Sequence, residues 1–205
     1  MAPVRAYCLE TLRGREMDQD IRAALRRLIE LTGADPDRPG LKTTPERMVE
    51  TLNFLTRGQR EDIGDEIAHG LFEDSSRDMV LVRSIELCSV CEHHVLPFIG
   101  HAHVAYLPDG RLLGLSKIAR VVDHFACRLQ VQERLTAEVA DYLADVLRPR
   151  GVAVVVSAVH LCMVVRGVRK QDARVVTTAW RGAFEQDDRL RADVLAGIGN
   201  VDKGF

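Results

Sequence analysis

Apolar positions follow a helical period in the first third of the chain and a strand period after it. Ile21, Leu25, Leu28 and Ile29 recur at three- and four-residue spacing within Met17–Leu31, and Gly33 stops the run, which predicts a helix. Asp35-Pro36-Asp37-Arg38-Pro39-Gly40 is turn chemistry. Thr44-Pro45 then reads as N-cap and first-turn proline of a second helix, through about Thr56. Residues 57–78 are polar and weakly patterned, a connection with room for one short helix. From Met79 the period drops to two. Met79–Leu87 and Gly100–Leu107 predict strands, the second with Ala102, Val104 and Tyr106 inward and His101 and His103 on an exposed face. Pro108-Asp109-Gly110 predicts a turn and Arg111–Leu113 a short strand. Ser116 is placed to cap a helix that carries Ile118, Val121, Val122 and Phe125 on one face. Val131, Leu135, Val139, Tyr142 and Val146 mark a longer helix, ended by Pro149 and Gly151. Two last strands fit Val152–Arg166 and Arg174–Phe184, ahead of a charged helical tail from about Asp187.

The order is ββ, αα, ββ behind a helical N-terminal portion. Strands and helices in blocks, without strict alternation, indicate an α+β fold with an antiparallel sheet. Three regions follow: a helical region over 1–78, a catalytic-type domain over 79–186 and a helical tail over 187–205. At 205 residues the chain buries a sizeable core without staples. With 28 basic against 30 acidic residues the net charge is −2, which argues against a nucleic-acid partner held by bulk charge. No run approaches the roughly 18 apolar residues of a membrane span, and Met1–Glu10 shows no secretory leader. Five cysteines, an odd number, favour free thiols or metal ligands over a disulfide framework, and the expected location is the cytoplasm.

The strongest chemical signal is Cys88-Ser89-Val90-Cys91-Glu92-His93-His94. Thiolate and imidazole are good zinc ligands, and a two-residue gap lets Cys91 and His94 reach one ion from a tight turn. A second group is His160-Leu161-Cys162. In the predicted strand His160, Cys162, Val164 and Arg166 share one face over roughly 20 Å. Cys91, His94 and Cys162 make a three-ligand site with a fourth position open, as catalytic zinc requires; adding Cys88 would close it into a structural Cys₃His site. Spacing does not choose between the two. Cys127, His69 and His124 read as ordinary packing residues.

Four segments carry a resemblance: Cys91-Glu-His-His-Val-Leu-Pro-Phe98, Gly114-Leu-Ser-Lys-Ile-Ala-Arg120, Gln130-Val-Gln-Glu-Arg-Leu135 and His160-Leu-Cys-Met-Val-Val-Arg-Gly-Val168. In this order and spacing, over about Leu41 to Phe184, the chain resembles the GTP cyclohydrolase I family. The resemblance implies conversion of GTP and water into 7,8-dihydroneopterin triphosphate and formate, the entry to folate and pterin synthesis. It implies zinc on Cys91, His94 and Cys162, leaving Cys88 out. His93 and His160 would be the acid/base pair, with Ser116 near the ribose. Arg47, Lys117, Arg120 and Arg166 would hold the triphosphate in place of a P-loop, since no GxxxxGK[ST] occurs. Gln132 and Glu133 would recognise guanine. The implied fold is the tunnelling fold, ββααββ with an antiparallel sheet and helices on one face. The implied assembly is a homodecamer whose active sites are shared between neighbouring subunits.

Other readings compete. A non-enzymatic zinc module closed by Cys88 would leave His93, His160 and the cations unexplained. A nitrile reductase of the same fold would need a nucleophilic cysteine outside any zinc site, and its motif is absent. The HxE…PCxxC order of cytidine-type deaminases is absent too.

Overall fold

A computed structural model of the chain describes residues 19–199, so the predicted helix start at Met17 and the N-terminal decapeptide lie outside the described residues. Contacts divide the chain into two compact units, one ending at Phe54 and the other beginning at Leu55. The first holds α1 (Gln19–Leu31) and all but the last residue of α2 (Thr44–Leu55). Of the proposed α1 face only Ile29 is buried, while Ile21 and Leu28 are exposed. Ion pairs Arg22–Glu46 and Arg26–Asp37 join α1 to α2 and to the turn between them. Thr44 is already helical and the Arg47 amide donates to the Thr43 carbonyl, which moves the cap one residue earlier than predicted.

In the second unit the polar connection contains a 3₁₀ turn at Arg57–Gln59, α3 (Gly64–Ala68) and a strand, β1 (Leu71–Glu73). β1 pairs antiparallel with β4 (Arg111–Leu113). Three residues are too few to show an alternation, so β1 left no trace in the pattern. The main sheet is built from β2 (Val80–Cys91), β3 (Leu96–Leu107), β5 (Leu129–Gln130), β6 (Gly151–His160) and β7 (Val175–Gly182), in the order β5-β2-β3-β6-β7. β2–β3, β3–β6 and β6–β7 are antiparallel, and the short β5 runs parallel to β2. With α4 (Leu115–Ala126) and α5 (Gln132–Leu147) between β4 and β6, the ββααββ order is realised.

Helices cover both faces of this sheet, not one. α4 and α5 pack against Val104, Tyr106, Val152, Val154 and Val156. On the other face, α7 (Ala183–Gln186) and α8 (Asp188–Ile198) set Phe184, Val194 and Ile198 against Ala105, Leu107, Ala153 and Val155. β6 therefore reads as an unbroken apolar run because both of its side-chain rows are buried, each valine worth ~1.5–3 kcal/mol. α4 buries the four residues predicted for it, whereas α5 is rotated so that Leu135, Val139, Leu143 and Leu147 face the core and Tyr142 and Val146 lie at its margin. Asp187 caps α8, its carboxylate accepting from the Arg189 and Leu190 amides.

His103 is buried, against the expectation of an exposed strand face, and His101 is half-buried. His103 shares its row with Ala105 and Leu107, which α7 and α8 cover, and a bulge in β2 between Val82 and Ile85, where Ser84 adopts φ 59°, turns the Ser84 N–H onto His103 Nδ1 at 3.1 Å. Ser116 does not cap α4. The Gly114 amide donates to the Gly70 carbonyl beside the small sheet, the helix starts at Leu115, and Ser116 is exposed in its first turn.

Candidate metal centre and its surroundings

β2 runs to Cys91 and the chain reverses through Glu92–Val95 into β3. The turn closes on one acceptor: the Val95 amide donates to the Cys91 carbonyl at 2.9 Å and the His94 amide to the same oxygen at 3.4 Å. Val95 pays for this turn with φ 53°, a left-handed backbone that costs a β-branched residue on the order of 1–3 kcal/mol. Strain of that kind persists only where neighbours over-determine it, and here they do. The Glu92 amide donates to the Gln130 carbonyl of β5. The Glu92 carboxylate receives both guanidinium nitrogens of Arg134, on the first turn of α5, at 2.9–3.0 Å. That bond holds the Glu92 carboxyl below the usual carboxylate range.

The predicted strand through Arg166 is not formed. β6 stops at His160, and Leu161–Val164 form a short helix, α6. The row of side chains expected on one strand face is therefore broken, and Cys162 comes off the first turn of α6. With this bend the Cys91, Cys162 and His94 ligand atoms lie within 4.8 Å of one another. Cys91 is buried, Cys162 half-buried and His94 exposed, which leaves the group approachable from one side. Two sulfurs and one imidazole nitrogen form a soft donor set that suits zinc and leaves one tetrahedral position for a non-protein ligand. Cys88 is absent from the group. In β2 it alternates to the opposite side from Cys91, so the closed four-ligand arrangement is not built. Burial raises the Cys162 thiol, the neighbouring Cys91 raises it further, and Arg166 opposes both.

His93 is exposed beside the group, its Nδ1 3.8 Å from Cys91 Sγ and its ring 6.3 Å edge-on from His94. His160 lies flat on Phe98, centroids 4.6 Å apart and planes within 5°, because the β3–β6 register pairs those two residues. His160 Nε2 meets Gln132 Oε1 at 2.8 Å. Burial lowers the His160 pKa, and the charge of exposed Glu133 opposes that shift. Gln132 is fully buried and its carboxamide nitrogen donates to the Val156 and Val175 carbonyls and to Thr177 Oγ1. The side chain expected to face guanine thus faces inward, because α5 starts with this residue over the β6–β7 seam.

The proposed phosphate cations of the second unit lie on different elements. Arg166 is exposed on the loop after α6, on the metal side. Lys117 and Arg120 share Glu66 of α3, at 2.8 and 3.6 Å. They sit in the first half of α4, whereas the end of α4 leads into β5, which pairs with Val90 and Cys91. Nine residues of helix from Lys117 to Ala126 set the lysine back by roughly 14 Å. Arg47 is exposed on α2, in the first unit. Sequence reasoning passed over Arg134, Thr136, Thr177 and Phe98. The sequence signal for Arg134 and Phe98 was their place inside quoted motifs; that for the threonines was nil before α5 and β7 were paired.

Fold and centre together define the class: an α+β protein with a three-donor group able to hold a metal ion and two histidines at its margin. Residues 21–199 match the family model described as GTP cyclohydrolase I. GTP cyclohydrolase 1 of Chlorobaculum tepidum is 52% identical over 177 residues, 86% of this chain and 79% of that protein. GTP cyclohydrolase 1 of Alkalilimnicola ehrlichii is 49% identical over 179 residues, 87% of this chain and 97% of that protein. A solved structure of an archaeosine synthase QueF-Like in the apo form is similar over 53% of this chain and 98% of its own, with 20% identity and a TM-score of 0.44. The chain belongs to the GTP cyclohydrolase I family, and its ββααββ core is the tunnelling fold.

Proposed function

We propose that this chain hydrolyses GTP at C8 of the purine and rearranges it, with one water incorporated, to 7,8-dihydroneopterin triphosphate and formate, the first step of tetrahydrofolate biosynthesis. The observation that carries this reading is the Cys91–His94–Cys162 group with a stacked, hydrogen-bonded His160 one residue from the α6 turn. Those three residues would hold zinc, which supplies Lewis acidity that lowers the pKa of a water to about 7. Purine C8 is a poor electrophile and needs such a nucleophile at neutral pH.

The remaining work falls to the chain's own groups. Ring opening, loss of formate and rearrangement of the ribose each move protons, and His93 and His160 flank the group with imidazoles suited to that exchange. Glu133, exposed next to His160, accepts from guanine N1–H and the 2-amino group; adenine lacks that donor pair and would leave the carboxylate unpaired. Arg166 meets the triphosphate from the metal side with a planar fork. Ser116, Lys117 and Arg120 cluster in the first half of α4, where the helix dipole favours anions. Their set-back along α4 is why the same GTP would draw those groups, and Arg47, from neighbouring copies in a homo-oligomer, a decamer in this reading. No helix among the described residues is long and apolar enough to cross a membrane, and the proposed setting is the cytoplasm with no nucleic-acid partner.

The test is a zinc-loaded assay with GTP that follows pterin fluorescence and formate together, on the native chain, Cys88→Ser, Cys162→Ser and His160→Ala. Turnover that survives Cys88→Ser and fails in the other two, with zinc lost only from Cys162→Ser, supports the reading. Absence of turnover from the zinc-loaded native chain overturns it.

A further inference from the structure

The proton positions around Gln132 can be worked out by counting. Thr136 Oγ1 donates its one hydrogen to the Gln132 main-chain carbonyl at 2.7 Å. Its 2.6 Å contact with Thr177 Oγ1 must then be donated by Thr177. Thr177 has no further hydrogen to give, so its contact with Gln132 at 3.1 Å is accepted from the carboxamide nitrogen. The same nitrogen faces the Val156 and Val175 carbonyls at 3.0 and 2.9 Å, which can only accept. A flipped carboxamide would press its oxygen against two carbonyl oxygens in a site with no water access. Oε1 is therefore locked toward His160, and Oε1 is only an acceptor. His160 Nε2, 2.8 Å away, must carry the hydrogen. In the neutral ring Nδ1 is then bare, and among the described residues it has no hydrogen-bond partner. Phe98, fully buried and stacked on the ring, holds the plane in which this tautomer is presented.

From this we infer that Gln132 is a positioning residue: it does not touch guanine but fixes His160 as the Nε2–H tautomer and so leaves Nδ1 as the ring nitrogen offered to the substrate. The inference rests on the catalytic reading above and assigns the base contact to Glu133 alone.

Two experiments test it on the zinc-loaded holoenzyme. Solid-state nitrogen-15 spectra of histidine-labelled protein, with the His160 signals assigned by their loss in His160→Ala, should show a protonated Nε2 and an unprotonated Nδ1 in the neutral ring. A protonated Nδ1 overturns the proposal. This spectrum needs no turnover, so it stays readable if the cyclohydrolase reading itself fails. Second, Gln132→Leu should lower kcat about ten-fold or more with KM for GTP little changed. In a His160→Ala background, where turnover is already lost, it should have no effect on GTP binding by calorimetry. Loss of GTP affinity on Gln132→Leu, or an effect that persists without His160, shows direct base contact and overturns the proposal. Val154→Ala, a cavity variant in the core row of β6, serves as the stability control and should retain its rate per folded enzyme. An equal loss of kcat in Val154→Ala would reduce Gln132 to a structural role. Should Gln132→Leu not fold, the spectrum of the native enzyme decides alone.

Discussion

Gly100→Ala ties the strand spacing of the sheet to the chemistry at its end. A Cβ built on Gly100 would lie 2.0 Å from the Ser157 carbonyl oxygen, 2.6 Å from Ala158 Cα and 2.7 Å from Ala158 Cβ. All three belong to β6, and two are backbone atoms that no rotamer change can move. Ordinary contact begins near 3.4 Å, so β3 and β6 must part by about an ångström in the middle of their ladder. Overpacking of this kind costs ~1–3 kcal/mol, and each ladder bond weakened on either side adds about 1 kcal/mol. The sum, about 3–5 kcal/mol, is a large share of the ~5–15 kcal/mol that holds a typical domain together. A melting temperature lower by roughly 6–20 °C follows for a chain of this size. Two residues along β3 lies Phe98, paired with His160, so the same displacement reaches the histidine proposed to act on substrate. A shift near 1 Å there costs on the order of 100-fold in rate. The assay is thermal unfolding of the zinc-loaded variant, together with kcat at a temperature where it remains folded. A melting temperature within about 2 °C of the native chain and an unchanged kcat would refute the close approach of β3 to β6 as the structural reason for this glycine.

Cys162→Ser should strip zinc from the purified protein while Cys88→Ser retains it, read by metal content after dialysis; equal loss from both would restore Cys88 as a ligand. Arg134→Met frees Glu92 and loosens the turn that carries His94, and should weaken zinc binding by about ten-fold in competition with a chromophoric chelator. Arg134→Lys should recover only part of it, because the bidentate fork is lost. Glu133→Gln should raise KM for GTP about ten-fold or more and erode discrimination against other purine triphosphates, with zinc content unchanged. His124 supplies a pH dependence. Its pKa is lowered, first by burial and next by Arg128, against the opposing charges of Glu61, Asp62 and Glu138. Its Nε2 accepts from Arg128 and its buried Nδ1 has no hydrogen-bond partner among the described residues. The unfolded chain therefore binds the proton more readily, and stability is lost as pH falls from the ordinary histidine value of 6.5 toward the lower folded value. Urea midpoints at pH 7.5 and 5.5 should converge in His124→Gln relative to the native chain.

Periodicity and residue type alone determined much of this protein. The α4 face of Ile118, Val121, Val122 and Phe125 was legible because four apolar residues at helical spacing have one way to be buried together. The ββααββ order was legible because period two and period 3.6 are local properties of the chain. Thiols and imidazoles in two short motifs announced a metal chemistry for the same reason, and the resemblance of four segments narrowed it to a family. What sequence could not decide were relations between residues far apart in the chain. Continuing β6 to Arg166 satisfies local alternation equally well, and only the packing around Cys91 shows the bend into α6 that turns Cys162 toward it. His103 read as exposed because its strand face is covered by helices much further along the chain, and its donor comes from a bulge in another strand. Gln132 read as a base contact because its motif is contiguous; the direction of its side chain is set by two carbonyls on β6 and β7 that lie 24 and 43 residues away. A side chain's type fixes which bonds it can make; which partners stand within 3 Å is a property of the folded sheet, and that decided how the site is built.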